Sequence, residues 1–311
     1  MMPARRRLAV LMAAAVACCV AWAQQGVPVR VGSKIDTEGK LLGNMIVLVL
    51  EAGGIRTENK ASLGNTKVMR GAITAGEIDI YPEYTGNGAF IFSEASSPVW
   101  KSAKAGYERV KALDYAKNKI VWLQPAPASN TWAIAVRKDV AAAGNLKTLQ
   151  DLSRWLASNN AESRRFKLAA SSEFVERSDA LPAFQAAYGF TLKPDQLLML
   201  AGGDTSVTER AAAEKTSGIN ASMAYGTDGA VLALGLVLLE DPKGVQPVYA
   251  PAPIIREQTL LKYPAIAGLL APVFSQLDAP TLQALNAKIQ LEGQDAKKVA
   301  ADFLRSKGLL K

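Results

Sequence analysis

Two kinds of apolar pattern alternate along this chain. Short apolar runs read as strands, and longer segments with one apolar face read as helices. Residues 29–33 form the first strand. Residues 40–52 form a mostly buried helix stopped by Gly53-Gly54. Residues 55–61 are a second extended piece, and 66–75 a helix with Asn65 as N-cap and Gly76 as terminator. Residues 78–80 make the third strand. Alternation of this kind predicts a parallel sheet with helical crossovers. A polar-faced helix over 101–117 and a strand over 120–123 follow. Pro125-Ala126-Pro127-Ala128 then forms a rigid extended link. From 131–136 the βα pattern begins afresh. Thr148 caps a helix through Asp151, with strands at 167–170 and 219–224 and helices at 179–188 and 205–216. After 236–239 a proline-punctuated stretch runs through Pro253, and helices over 263–275, 279–291 and 296–307 close the chain.

The restart near 125–132 and a second crossing near 236–245, marked by the turn Asp241-Pro242-Lys243-Gly244, divide the chain. The expectation is two α/β lobes joined by two strands. One lobe is residues 24–130 with 240–311, and the other is 131–239. Lobes of this kind close on a ligand by a hinge.

The first residues read as an export leader. Arg5, Arg6 and Arg7 precede an apolar run over 8–20 that is short for a bilayer span. Ala21-Trp22-Ala23 is a small-x-small cleavage signature, so residues 1–23 form a signal peptide and Gln24 opens the mature chain. A lipoprotein start at Cys18 or Cys19 is the weaker alternative. Cys18 and Cys19 are the only cysteines, so cleavage leaves no disulfide, thiol chemistry or Cys-ligated metal. Histidine is absent, which removes the commonest general base and metal ligand. The formal charge is +8, of which the leader arginines carry three, leaving +5. Export and the lack of basic runs interleaved with aromatics argue against nucleic acid as partner.

One motif concentrates the candidate chemistry: Tyr81-Pro82-Glu83-Tyr84-Thr85-Gly86-Asn87. Pro82 argues that the backbone leaves the sheet here. That places tyrosines on a loop at a strand end, where open α/β sheets bind ligands. Aromatic faces there suit a cation with no N–H to offer, through the ring quadrupole.

With the leader and the two lobes, this motif makes the chain resemble the periplasmic substrate-binding proteins of osmoprotectant ABC transporters, which bind glycine betaine, choline and related quaternary amines. The resemblance is to their OsmF/YehZ-like branch. It rests also on Val31-Gly32-Ser33-Lys34, Glu173-Phe174 with Arg177, Tyr225-Gly226-Thr227-Asp228-Gly229 and Tyr249-Ala250-Pro251-Ala252-Pro253. It implies a two-lobed, type II periplasmic binding-protein fold with two crossover strands at the hinge. It also implies a monomer without cofactor, delivering its ligand to an inner-membrane ABC permease. By the same resemblance Tyr84, Trp132, Tyr225 and Tyr249 match the aromatic box around a trimethylammonium head. Lys34 and Arg177 match the cations that meet a carboxylate, with Thr85 and Asn87 in the same loop. Family members of highest affinity have threonine where this chain has Asn87. That departure bears on carboxylate hydrogen bonding, and so on affinity or ligand identity.

Each residue also has a plainer reading. Asp36 and Glu38 are nearby salt-bridge partners for Lys34, Asp228 is the N-cap of a following helix, and Asp204 caps the helix after Gly202-Gly203. Tyr81 is a packing residue. A binder of another cation or zwitterion, such as a polyamine or amino acid, is the alternative ligand class. A Ser33–Lys34 hydrolase is the enzymatic rival, disfavoured because adjacent strand-end side chains point to opposite faces.

Overall fold

The computed structural model describes residues 27–200 and 204–310. The expected leader, Cys18, Cys19, Gln24 and Gly202-Gly203 lie outside the described residues. The strands are β1 (Val29–Lys34), β2 (Thr57–Gly64), β3 (Ile80–Tyr84), β4 (Ile120–Trp122), β5 (Trp132–Arg137), β6 (Leu168–Ser171), β7 (Leu197–Leu200), β8 (Ala221–Tyr225), β9 (Leu236–Leu238) and β10 (Pro251–Arg256). The longer helices are α1 (Thr37–Ala52), α2 (Thr66–Ala75), α3 (Ala103–Asn118), α4 (Leu149–Ala157), α5 (Leu181–Tyr188), α6 (Thr205–Ala213), α7 (Ala265–Phe274), α8 (Ala279–Gln290) and α9 (Ala296–Ser306).

The strands form two mixed sheets, ordered β2-β1-β3-β10-β4 and β7-β6-β8-β5-β9. Side-chain alternation divides each sheet between two apolar layers. On the first sheet Ile80 and Ile255 join the core under α1, α7, α8 and α9, while Tyr81 and Ile254 join the core with Trp100 and Trp122. On the second, Ile134, Leu168 and Met223 face one core and Ala135, Ala169 and Leu236 the other. Caps mark the helix ends. Asn65 accepts from the Val68 N–H and Gly76 takes the left-handed C-cap conformation. Thr148 and Asp151 form a reciprocal capping box, and Asp204 caps α6.

The chain crosses between the sheets twice, after β4 and after β9. The two crossing segments run side by side: the Ala126 N–H donates to Pro251 O at 2.8 Å, and the Asn130 N–H to Tyr249 O at 2.9 Å.

Two sequence expectations need correction. The proline-punctuated stretch contains a strand, β10, and Pro82 does not expel the backbone from the sheet. Pro82 lies inside β3, in the middle of the first sheet, opposite Pro253 of antiparallel β10. Antiparallel pairs alternate between bonded and non-bonded positions. A Pro–Pro pair fits only the non-bonded kind, where neither nitrogen faces the other strand. On the other side β1 meets β3 only at Val31–Ile80, so nothing there requires a Pro82 N–H. Pro253 offers its carbonyl outward to the Leu123 N–H at 2.9 Å.

Candidate functional site

Loops at the carboxyl ends of parallel β1, β2 and β3 meet those after β6 and β8, together with the start of antiparallel β5. They line one cavity of about 30 Å³. The first sheet contributes Lys34, Asp36, Asn65, Thr66, Tyr84 and Asn87. The second contributes Trp132, Glu173 and Tyr225, and the crossing segments supply Asn130 and Tyr249.

Register explains how the rings meet. Trp132 and Tyr225 are direct partners across β5 and β8, so their side chains leave the same face. Their ring centroids lie 6.4 Å apart at an interplanar angle of 25°. Tyr249 lies 6.0 Å from Trp132 at 36°. Its ring passes over Gly86, where an added Cβ would come within 2.8 Å of it. Tyr84 ends β3, with the Lys34 ammonium 4.7 Å from its ring centroid. All four rings proposed from sequence therefore line one space.

Beneath them lies a carboxylate that sequence reading passed over. Glu83 is fully buried. Its Oε1 accepts from Lys34 Nζ at 2.7 Å, from the Tyr84 N–H at 2.8 Å and from Asn87 Nδ2 at 2.7 Å. Its Oε2 accepts from the Tyr81 hydroxyl at 2.7 Å. Burial alone would raise the Glu83 pKa, but Lys34 and these donors hold it below the ordinary value. Glu83 is thus the partner of Lys34, in place of Asp36 or Glu38. Glu38 is itself buried and accepts from the Tyr84 hydroxyl at 3.0 Å and Asn130 Nδ2 at 2.8 Å. Burial and the Glu38 charge push the Tyr84 phenol well above its ordinary value, so it stays a neutral donor. Asp36 caps α1 through the Gly39 N–H at 2.7 Å. Desolvation raises its carboxyl to about 6, against the pull of Lys34.

Arg177 is placed differently from the sequence expectation. It is buried and absent from the cavity wall. Its Nε and Nη2 grip Asp179 at 2.9 and 2.7 Å, and Nη1 donates to Asn87 Oδ1 and Glu173 Oε1, each at 2.9 Å. The guanidinium lies 4.6 Å from the Trp132 ring centroid and 4.3 Å from that of Phe90. Burial opposes its charge, but the Asp179 hydrogen bonds and nearby carboxylates carry its pKa above the ordinary value. A fork so fully engaged holds Asn87 and Trp132 in position and has no carboxylate-binding face to spare.

Asn87 lines the cavity, yet both ends of its amide are committed, to Glu83 and to Arg177. Thr85 does not line it. Its hydroxyl donates to Val248 O at 2.9 Å and accepts the Ala250 N–H at 3.1 Å, tying β3 to the second crossing segment. Asp228 caps no helix. It accepts the Tyr225 N–H at 2.6 Å and the Thr205 hydroxyl at 2.9 Å. Ser33 is buried, donating to Lys34 O at 3.1 Å and accepting from the Ser62 N–H at 2.9 Å, while Lys34 Nζ is held by Glu83. The Ser–Lys arrangement of a hydrolase is not assembled.

The wall therefore combines π faces with the carboxylates of Asp36 and Glu173, and its one ammonium is already paired. This chemistry favours a cationic head group. Asp36, Glu173 and Asn130 were missed from sequence. Their signals were position alone: Asp36 stands two residues after Lys34, and Glu173 lies within the Glu173-Phe174 motif.

Residues 27–306 match the family described as the substrate binding domain of ABC-type glycine betaine transport system. The chain is 64% identical to the glycine betaine-binding protein YehZ of Escherichia coli K12, over 93% of each chain. It is 33% identical to a glycine-betaine-binding protein of Pseudomonas aeruginosa, over 92% of this chain and 90% of that one. The solved structure of apo YehZ from Escherichia coli superposes with a TM-score of 0.66 at 63% identity, covering 91% of this chain and 100% of that chain.

Proposed function

The chain belongs to the substrate binding domains of ABC-type glycine betaine transport systems, and from that premise we propose how its cavity takes a quaternary amine. The protein is a glycine betaine-type substrate-binding protein of an ABC transporter with the type II binding-protein fold. In our reading Tyr84, Trp132, Tyr225 and Tyr249 surround the trimethylammonium head, with Asp36 and Glu173 adding negative potential. The single observation that carries this is the convergence of the four rings on one cavity from both sheets. Each desolvated cation–π contact is worth ~2 kcal/mol, and micromolar binding needs ~8 kcal/mol net. The rings alone reach that only before ordering costs are subtracted.

A carboxylate on the guest would meet Lys34 and the first turn of α2 at Asn65 and Thr66, where the positive end of the helix dipole favours an anion. Lys34 is shared with Glu83 and Arg177 is occupied, so the anion side is weak. Discrimination between glycine betaine and choline should accordingly be small. The lobes are residues 24–130 with 240–311, and 131–239, a division supported by the membership of the two sheets. They part to admit the ligand and close around it. The protein catalyses nothing, acts as a monomer in the periplasm after loss of residues 1–23, and hands its ligand to an inner-membrane permease.

Calorimetry with glycine betaine, choline, carnitine, a polyamine and an amino-acid panel tests the reading. Heat from trimethylammonium compounds is expected. Binding of a primary amine with none from any trimethylammonium compound would reject the ring box.

A further inference from the structure

The halves of the molecule also meet away from the rings. Gln283, Asn286 and Gln290 lie on one face of α8, spaced at helical intervals. Gln283 Nε2 donates to Gly226 O at 2.9 Å, Asn286 Nδ2 to Thr227 O at 3.0 Å, and Gln290 Nε2 to Asp228 Oδ1 at 3.2 Å. Three amides thus meet three successive residues of the loop that follows Tyr225. An adjacent face of α8 puts Leu282 and Leu285 in the core of the first sheet, so the helix moves with that sheet while the loop moves with the second.

Gly229 sets how near they come. A Cβ built on it would lie 2.1 Å from Gln283 O, 2.7 Å from Ala287 Cβ and 2.9 Å from the Ala287 nitrogen. Two of those atoms are helix backbone and cannot swing aside. The contact also reaches the ring box by hydrogen bonds. Asn286 Nδ2 donates to Glu38 Oε2 at 2.9 Å, and Glu38 holds the Tyr84 hydroxyl. Asp228 holds the Tyr225 N–H.

We propose that α8 and the 226–229 loop form a latch that exists only when the lobes are closed, with Gly229 and Gln283 as positioning residues that set affinity without touching the ligand. The proposal rests on the reading of a two-lobed protein that closes on its guest. Apparent affinity scales with the population of the competent state. Loss of the latch must therefore weaken every ligand by the same factor, whereas a change in the ring box alters their ratio.

The test uses Gly229→Ala and Gln283→Ala in the chain from residue 24 onward, which has no cysteine of its own. Glycine betaine and choline affinities come from calorimetry. Inter-lobe distances come from spin labels on cysteines placed at exposed Lys117 and Thr191. Gly229→Ala is expected to weaken both ligands equally, by about tenfold or more, and to shift the ligand-free distance distribution to longer separations. Gln283→Ala, losing one neutral hydrogen bond, should weaken both by about threefold to tenfold. It reports on the latch even where the Gly229 variant fails to fold. Unchanged distances in Gln283→Ala, or unequal losses for the two ligands, would overturn the latch. Should the unaltered protein bind neither ligand, the ring-box reading fails, and the ligand-free distances alone decide the latch.

Discussion

Glu83→Gln isolates the charge beneath the cavity. Glutamine has the shape of glutamate. Its amide oxygen can keep the Lys34, Tyr84 and Asn87 donors, and its NH₂ can donate to a Tyr81 hydroxyl that turns to accept. What disappears is the negative charge facing a lysine whose side chain is 9% exposed. Removing one partner of a buried ion pair is destabilising by ~3–5 kcal/mol. The retained hydrogen bonds place this case near ~3 kcal/mol. With a urea slope of ~2–3 kcal/mol/M for a chain of this size, the unfolding midpoint should fall by about 1 M or a little more. The effect also carries a pH signature. The Glu83 pKa is depressed in the folded protein. Its contribution is therefore fully present above the unfolded glutamate value and is lost as pH falls below it. The gap between parent and variant should be constant near neutrality and should shrink below about pH 4.5. Urea unfolding monitored by fluorescence at neutral and acid pH checks both. A gap under ~1 kcal/mol at neutral pH, or one that widens on acidification, would refute the assignment of Glu83 as an ionised hub.

Three further outcomes are expected. Tyr84→Phe keeps the π face but deprives Glu38 of a donor, so stability should fall by ~1.5–3 kcal/mol in thermal or urea unfolding. Its trimethylammonium affinity should stay within about threefold, whereas Tyr84→Ala should lose more than about tenfold. Arg177→Ala should weaken glycine betaine and choline alike in calorimetry, because Arg177 positions Asn87 and Trp132. A loss confined to betaine would restore it as a carboxylate ligand. Asp36, raised to about 6 by desolvation, ionises as pH climbs through that value, and a cationic guest favours the ionised form. Choline affinity should therefore rise by up to about tenfold between about pH 5 and about pH 7, and Asp36→Asn should flatten the profile.

Much of the fold was legible from local pattern. The caps at Asn65, Gly76 and Thr148 and the restart after the Pro-Ala-Pro link follow from contacts within a turn or two of chain, which the sequence displays directly. Strand β10 and the central place of Pro82 were not legible. A proline is compatible with a sheet whenever its nitrogen faces no partner, and the partner, Pro253, is remote in the chain. Stacking of Trp132 on Tyr225 likewise needed the β5–β8 register.

The sequence by itself determined which groups were available: four rings near strand ends, no histidine, and cysteine only at positions 18 and 19. Tertiary structure alone decided how the charges were spent. Lys34 pairs with Glu83 across 49 positions, Arg177 reaches Asn87 across 90, and Asn286 reaches Glu38 across 248. Propensity is set by neighbours along the chain, so it marks where a side chain emerges. The partner of a buried charge is whatever folding places within about 3 Å of it, and no local pattern encodes that choice.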